Sequence, residues 1–330
     1  MKKFLPLHQI NDASATIFFM INRALLRIKI IQILYSYYKG DGQSISLAEK
    51  ELFFSIEKTY ELYFHLLQFS IEITHYAANK IDARRNKLRP TEEDLHPNTR
   101  FIDNRFVAQL SRNSTLQEFL KENKTSWVNN QDAIKSIYEL IVASEIYADY
   151  MSAETADYTA DKDIWRKIYK KIILMNEEFS DSIEDQSIYW TDDLEIVISF
   201  IIKTIKRFDT ENGVNQELLP MFKDDEDAEF ASGLIKNALE NETLYRQMID
   251  QHTNNWELDR IAFMDIIIMQ AALAEIMTFP TIPVNVTLNE YIEISKSFST
   301  DKSATFINGV LDNIVKELKA DNKLIKVVKI

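Results

Sequence analysis

Apolar side chains recur at spacings of three and four along almost the whole chain, while alternating strand patterns do not. That period lays one apolar stripe along an α-helix. Glycine and proline tighten the constraint, because 330 residues contain only five of the first and six of the second. Sheets, dinucleotide-binding units and phosphate loops need more turn residues than this, so the expected fold is all-α. With 46% hydrophobic and 27% charged residues the chain reads as globular, with enough length for one large core or two modest ones.

The spacing predicts helices near 15–38, 47–81, 105–121, 131–151, 161–178, 189–208, 226–239, 243–253, 259–278, 284–297 and 303–319. Ser114, Thr125 and Asn129 read as loop or cap residues, and Pro280-Thr281-Ile282-Pro283 as a break. Thr91-Glu92-Glu93-Asp94, bracketed by Pro90 and Pro97, predicts one capped turn. Asp224-Asp225-Glu226-Asp227 fits the first turn of a helix, where carboxylates complement the dipole.

Several chemistries are disfavoured. The chain has no cysteine, which removes disulfides, thiolate catalysis and Cys-ligated zinc and agrees with a cytoplasmic protein. Asp265, Gln270 and Glu275 interrupt the longest apolar run, Ile261 to Phe279, which suits a buried core helix better than a membrane span. The start Met1-Lys2-Lys3-Phe4-Leu5-Pro6 runs into His8, Gln9, Asn11 and Asp12, so no leader is expected. Glu72-x-x-His75, with Glu61 and His65 on the same stretch, supplies one arm of a carboxylate-bridged metal site. A di-iron bundle needs two such arms and two further carboxylates, so the structural role is favoured. Nucleophile elbows, Walker sequences and Gly-x-Gly-x-x-Gly are absent. The expectation is a binding protein rather than an enzyme, with no cofactor, no metal and no membrane partner.

Net charge is −13, which argues against bulk nucleic-acid binding. The distribution is uneven. Counting Lys and Arg against Asp and Glu, residues 1–40 carry +5, 41–150 carry −4, 151–230 carry −11 and 231–330 carry −3. A small basic surface on the first helix is compatible with this balance.

Two stretches carry more specific information. Asn289-Glu290-Tyr291-Ile292-Glu293-Ile294-Ser295-Lys296-Ser297-Phe298 is followed, after Ser299-Thr300-Asp301-Lys302-Ser303, by Phe306-Ile307-Asn308-Gly309-Val310-Leu311-Asp312. Near the other end stands Arg23-Ala24-Leu25-Leu26-Arg27-Ile28-Lys29-Ile30-Ile31-Gln32-Ile33-Leu34-Tyr35. Together these resemble the NusB family of bacterial transcription antitermination factors. There, an Asn-Glu-x-x-Glu-x-Ala-Lys-x-Phe helix precedes a Lys-Phe-Val-Asn-Gly-Val-Leu-Asp helix, and the first helix has an arginine-rich start. Glu229-Phe230-Ala231-x-x-Leu234 and the run from Asp259 to Ile276 continue the likeness, which covers about 20–39 and 226–318.

The resemblance implies an all-α, NusB-like bundle and binding of boxA-type single-stranded RNA jointly with NusE, a small-subunit ribosomal protein. The setting it implies is the RNA polymerase antitermination complex and rRNA transcription. Carried over onto this sequence, the RNA-binding candidates are Arg23, Arg27, Lys29, Tyr35, Lys302, Phe306 and Asn308. Arg23 and Arg27 lie four apart on one helical face, a row suited to successive backbone phosphates. Two ordinary surface arginines is the alternative.

The expected organisation is an N-terminal helix of the bundle (1–39), a helical insertion acidic in its second half (40–225), a C-terminal bundle (226–320) and a basic tail (321–330). The insertion is expected to pack as extra helices on the bundle, with Tyr60, Leu62, Phe64, Leu66, Leu67, Phe69, Trp165, Ile168, Tyr169, Ile172 and Ile173 in apolar faces. Arg84, Arg85, Lys87, Arg89, Arg100 and Arg105 form a second basic cluster, which helix-end electrostatics explains as well as RNA binding does. Gly309, inside a helix, suggests close approach of another backbone. The chain departs from the family's arginine cluster at Ala24 and Leu25, and carries Lys302 where an acidic residue is common. A competing reading is a protein-interaction scaffold whose acidic insertion binds basic ribosomal or transcription proteins, with RNA binding lost.

Overall fold

The computed structural model describes residues 22–40, 44–155, 157–222, 224–253, 261–300 and 302–327. Among them there is no strand. The helices are α1 (Arg23–Lys39), α2 (Ile45–Arg85), α3 (Glu92–Leu95), α4 (Arg105–Leu110), α5 (Ser114–Asn123), α6 (Gln131–Val142), α7 (Glu145–Ser152), α8 (Tyr158–Ile168) and α9 (Glu177–Glu184). They continue as α10 (Leu194–Arg207), α11 (Asp225–Glu240), α12 (Glu242–Gln251), α13 (Phe263–Thr278), α14 (Val284–Phe298) and α15 (Ser303–Ala320). The all-α expectation holds. Expected helix starts at 15–21 and 259–260 lie outside the described residues.

Local capping explains most boundaries. Thr91 and Asp94 form the expected capping box, with Asp94 N donating to Thr91 Oγ1 (3.2 Å) and Thr91 N to Asp94 Oδ2 (3.1 Å). Asp224 caps α11, whose first turn carries Asp225, Glu226 and Asp227. Three long expected helices are each divided by a cap. Asn113 accepts from Leu116 N and starts α5; Ser144 accepts from Tyr147 N and starts α7; Asn176 accepts from Phe179 N and starts α9. A polar side chain that supplies an acceptor for a free N–H outweighs a continuing apolar period. Between α8 and α9 the chain adds a π-helical turn, Tyr169–Ile173.

The described residues fall into two compact units, one taking in those up to Ile56 and those from Phe222 on, the other Glu57–Met221. In the first, α13 is the central helix, packed by α1, α11, α12, α14 and α15. Every residue from Asp265 to Ile276 is buried, as a helix apolar all round requires. Gly233 of α11 faces Phe279, where an added Cβ would stand 3.3 Å from the ring. The tail is tied down at the same place: Lys326 Nζ donates to Phe279 O (2.9 Å) and Val327 N to Pro280 O (3.0 Å). Lys329 lies outside the described residues. The second unit builds a core of its own. Leu62, Phe64, Leu66, Leu67, Phe69, Trp165, Ile168, Tyr169 and Ile173 are buried there, and Tyr60 and Ile172 half-buried.

Candidate nucleic-acid interface

The three polar residues that interrupt the apolar run of α13 decide the geometry of the first unit. They are five apart, about 140° around the helix for each step, so each meets a different neighbour. Asp265 receives Ser299 Oγ (2.5 Å) and Ser303 Oγ (2.9 Å), which ties the α14–α15 turn to the start of α13. Gln270 Nε2 donates to Tyr38 Oη (2.6 Å) and Ala238 O (2.8 Å). Glu275 receives both Arg27 Nε and Arg27 Nη2 at 2.8 Å, and Thr287 Oγ1 at 2.8 Å.

The last of these overturns an expectation. Arg27 is 3% exposed and its remaining amine points to Glu290 at 3.2 Å. Burial alone would lower its pKa, but the hydrogen bonds and charges of Glu275 and Glu290 leave it raised. Tyr291 packs into the same site, its hydroxyl raised well above the usual range by burial and then by the Glu275 charge. A phosphate could claim Arg27 only by leaving a buried carboxylate unanswered, which costs several kcal/mol, about 3–5. Lys29 is buried as well. Arg27 and Lys29 are therefore corrected from surface contacts to core groups.

The other candidates are accessible. Arg23, half-buried, stands 3.4 Å from Asp227 Oδ1 and 3.9 Å from Glu226 Oε2, with its guanidinium 5.0 Å from the Phe230 ring centre. Its charge is thus shared with the acidic first turn of α11. Tyr35 is 40% exposed. Its ring lies 5.8 Å from Phe263, and Lys39 Nζ sits over both rings, at 5.9 Å and 4.7 Å. Behind them Tyr38 is pushed up to about 12 by burial, with Arg246 over its ring at 4.8 Å. Lys302 and Asn308 are exposed, and Phe306 is half-buried.

Tyr35, Lys39 and Phe263 gather at the start of α13, and Asp265, one turn's reach away, anchors the turn that carries Lys302. Arg23 lies twelve residues back along α1, about 18 Å at 1.5 Å per residue. The structure therefore brings Tyr35 and the Lys302 turn to one end of α13 and sets Arg23 at the other end of α1. Lys39 and Phe263 were missed as site residues. The signal was present for Lys39, which follows Tyr35 by four and so shares its face. Gly309 reverses its expectation: it is exposed, and an added Cβ would meet nothing within 4 Å.

Elsewhere the sequence candidates resolve into structure. His65 is buried between Trp127 (4.1 Å) and Trp190 (5.4 Å), and no group of three or more metal-ligating side chains occurs among the described residues. Of the second basic cluster, Arg105 is bound to Asp161 (2.8 Å), Lys87 to Asp94 (3.2 Å), and Arg100 to the carbonyls of Ala153 and Thr155. Among the described residues no helix is long and apolar enough to cross a membrane.

Comparison with known proteins places this geometry in context. The model of the NusB family matches residues 201–316. The transcription antitermination protein NusB of Bacillus licheniformis is 44% identical over 90 residues, 27% of this chain and 70% of that protein. NusB of Bacillus pumilus is 37% identical over 119 residues, covering 36% of this chain and 91% of its own length. NusB of Bacillus subtilis is 38% identical over 106 residues, with 32% and 81% covered. A solved structure of T. maritima NusB is 26% identical, covers 44% of this chain and 92% of that one, and superposes with a TM-score of 0.28.

Proposed function

The chain belongs to the NusB family, and from that premise we propose that it holds boxA-type single-stranded RNA jointly with NusE, as part of the antitermination complex on RNA polymerase during rRNA transcription. The work is binding, not catalysis. Tyr35 and Phe263 offer faces on which unstacked bases stack, and Lys39 places a cation beside them. Lys302, Asn308 and Phe306 extend the surface across the α14–α15 corner, and Arg23 reaches a phosphate farther along α1. Arg27 and Lys29 have no part in the contact; they hold the bundle that presents it.

The observation that carries this reading is the half-exposed aromatic pair with its cation at the start of α13, where Phe263 lies within the residues that match the NusB family model. The test is titration of the full chain with NusE and a boxA-type RNA. Tyr35→Ala with Lys39→Gln should weaken binding about tenfold or more, since one base–aromatic stack contributes about 1–3 kcal/mol. Arg23→Ala should flatten the log-affinity against log-salt slope by about 0.7. Unchanged affinity in a double variant that stays folded by circular dichroism would remove the surface from the reading.

A further inference from the structure

We propose that the solvent face shared by α8 and α10 is a second phosphate-binding surface, which takes the backbone of single-stranded RNA without regard to its base sequence. Residues 151–230 carry −11, yet the basic residues within them are not scattered. Tyr158–Ile173 holds five cations against Asp161 and Asp163, and Leu194–Arg207 holds three against Glu195. Asp161 is buried and spent on Tyr150 (2.6 Å) and Arg105, and Asp163 is paired with Arg166 (2.5 Å). Twenty residues, 174–193, separate the two segments in sequence, and packing joins them.

The joint is Lys162. Its Nζ donates to the backbone oxygens of Phe208 (2.8 Å) and Lys206 (3.3 Å), so one cation of α8 sits at the end of α10 that carries Lys206 and Arg207. Lys162, Arg166 and Lys170 follow at intervals of four along one flank, about 6 Å per step where the helix is regular. Lys203, Lys206 and Arg207 occupy the last two turns of α10. Cations at a helix C-terminus offset its dipole, which accounts for Lys206 and Arg207. Arg166 has the same role in the last turn of α8, while Lys170 lies beyond it in the π-helical turn. The gathering also carries a cost, because burial and the neighbouring Lys206 charge both lower the Lys203 ammonium. Arg166 Nε and Arg207 Nη1 are shielded and find no acceptor, while Arg166 Nη1 pairs with Asp163 and Arg207 Nη2 stands 3.9 Å from Glu217.

The chemistry of the face selects its occupant. Neither segment exposes a large apolar side chain. Protein interfaces centre on aromatic and apolar groups and are depleted in lysine, whereas surfaces that hold a nucleic-acid backbone are polar and strongly cationic.

The test compares the full chain with a Lys170→Gln, Lys203→Gln, Lys206→Gln variant, titrating a mixed-sequence single-stranded RNA over a salt series. Lys162 is left intact because it caps α10. The salt slope should fall by about 2, at about 0.7 per lost contact, with affinity falling alike for every sequence. Arginine at the same three positions should keep the slope. An unchanged slope in a folded variant, no RNA binding by the wild-type chain, or displacement of RNA by polyglutamate at equal charge concentration would each overturn the proposal, the last by reassigning the face to acidic protein. Tyr35→Ala with Lys39→Gln, run in parallel, separates the two surfaces. If only that variant loses affinity, the second face fails while the antitermination reading stands; if only the triple variant does, the reverse holds.

Discussion

In the unit built around α13, the buried guanidinium of Arg27 has its charge answered by Glu275 and Glu290, and Thr287 completes the carboxylate. In the unit Glu57–Met221, the buried imidazole of His65 is held by ring stacking against Trp127 and Trp190, with the Gln186 side chain as its polar neighbour. The first arrangement is directional. It fixes the register of α1 against α13 and α14, because a bidentate pair tolerates little displacement. The second is non-directional and rests on packing and dispersion, so it constrains orientation less but depends on the ring staying neutral. Buried polarity thus specifies geometry in one unit and creates a proton-sensitive core in the other.

Breaking the ion pair from one side should have the largest effect. Arg27→Ala leaves the Glu275 carboxylate buried and unpaired, and should lower unfolding free energy by about 3–5 kcal/mol in denaturant titration. Pairing Arg27→Met with Glu275→Leu should recover most of that loss, since the charge to be answered is gone. A double variant as unstable as the single one would mean that shape, not charge, holds α1.

Acid should act on the other unit. Burial pushes His65 down to about 4, with the nearby Gln186 amide offsetting part of the shift. Between that value and about 6.5 the unfolded chain binds a proton that the folded chain refuses. The stability linked to His65 is therefore complete above about pH 6.5 and lost as pH falls towards 4, by about 3 kcal/mol in all. Denaturant midpoints measured across that window should show the slope, and His65→Phe should flatten it. An equal slope in the variant would assign the acid sensitivity to other groups.

Thr287→Val sharpens the comparison by removing one hydrogen bond from Glu275 while leaving the salt bridge. A loss of about 1.5–3 kcal/mol is expected, as for other bonds to charged groups. The smallest effect should have the opposite sign. Gly309 sits in the interior of α15 with open space around it, so Gly309→Ala should stabilise by about 0.5–1 kcal/mol. Destabilisation in a thermal melt would show that the glycine answers to a partner surface.

Much of this architecture was legible from local signals. The period of three and four marked the helices, Thr91 and Asp94 marked their capping box, and Asp224 to Asp227 marked the start of α11. The reading of Ser114 as a loop or cap residue fell one position from the cap at Asn113, whereas the caps at Ser144 and Asn176 were hidden because the apolar period ran through them. The interruptions at Asp265, Gln270 and Glu275 showed α13 to be a core helix, and their buried side chains required partners that only folding could name.

What the sequence by itself determined is therefore the set of helices, their ends and the side chains that share a face, because these depend on neighbours within a turn or two of chain. The tertiary structure alone decided which face is covered. Arg23 and Arg27 lie on the same stripe of α1, yet Arg23 reaches the open first turn of α11 while Arg27 is enclosed by Glu275 and Glu290, some 250 residues away. Lys162 meets the backbone carbonyl of Lys206, 44 residues away, for the same reason. Periodicity gives the direction in which a side chain points, and long-range packing supplies what stands there to meet it.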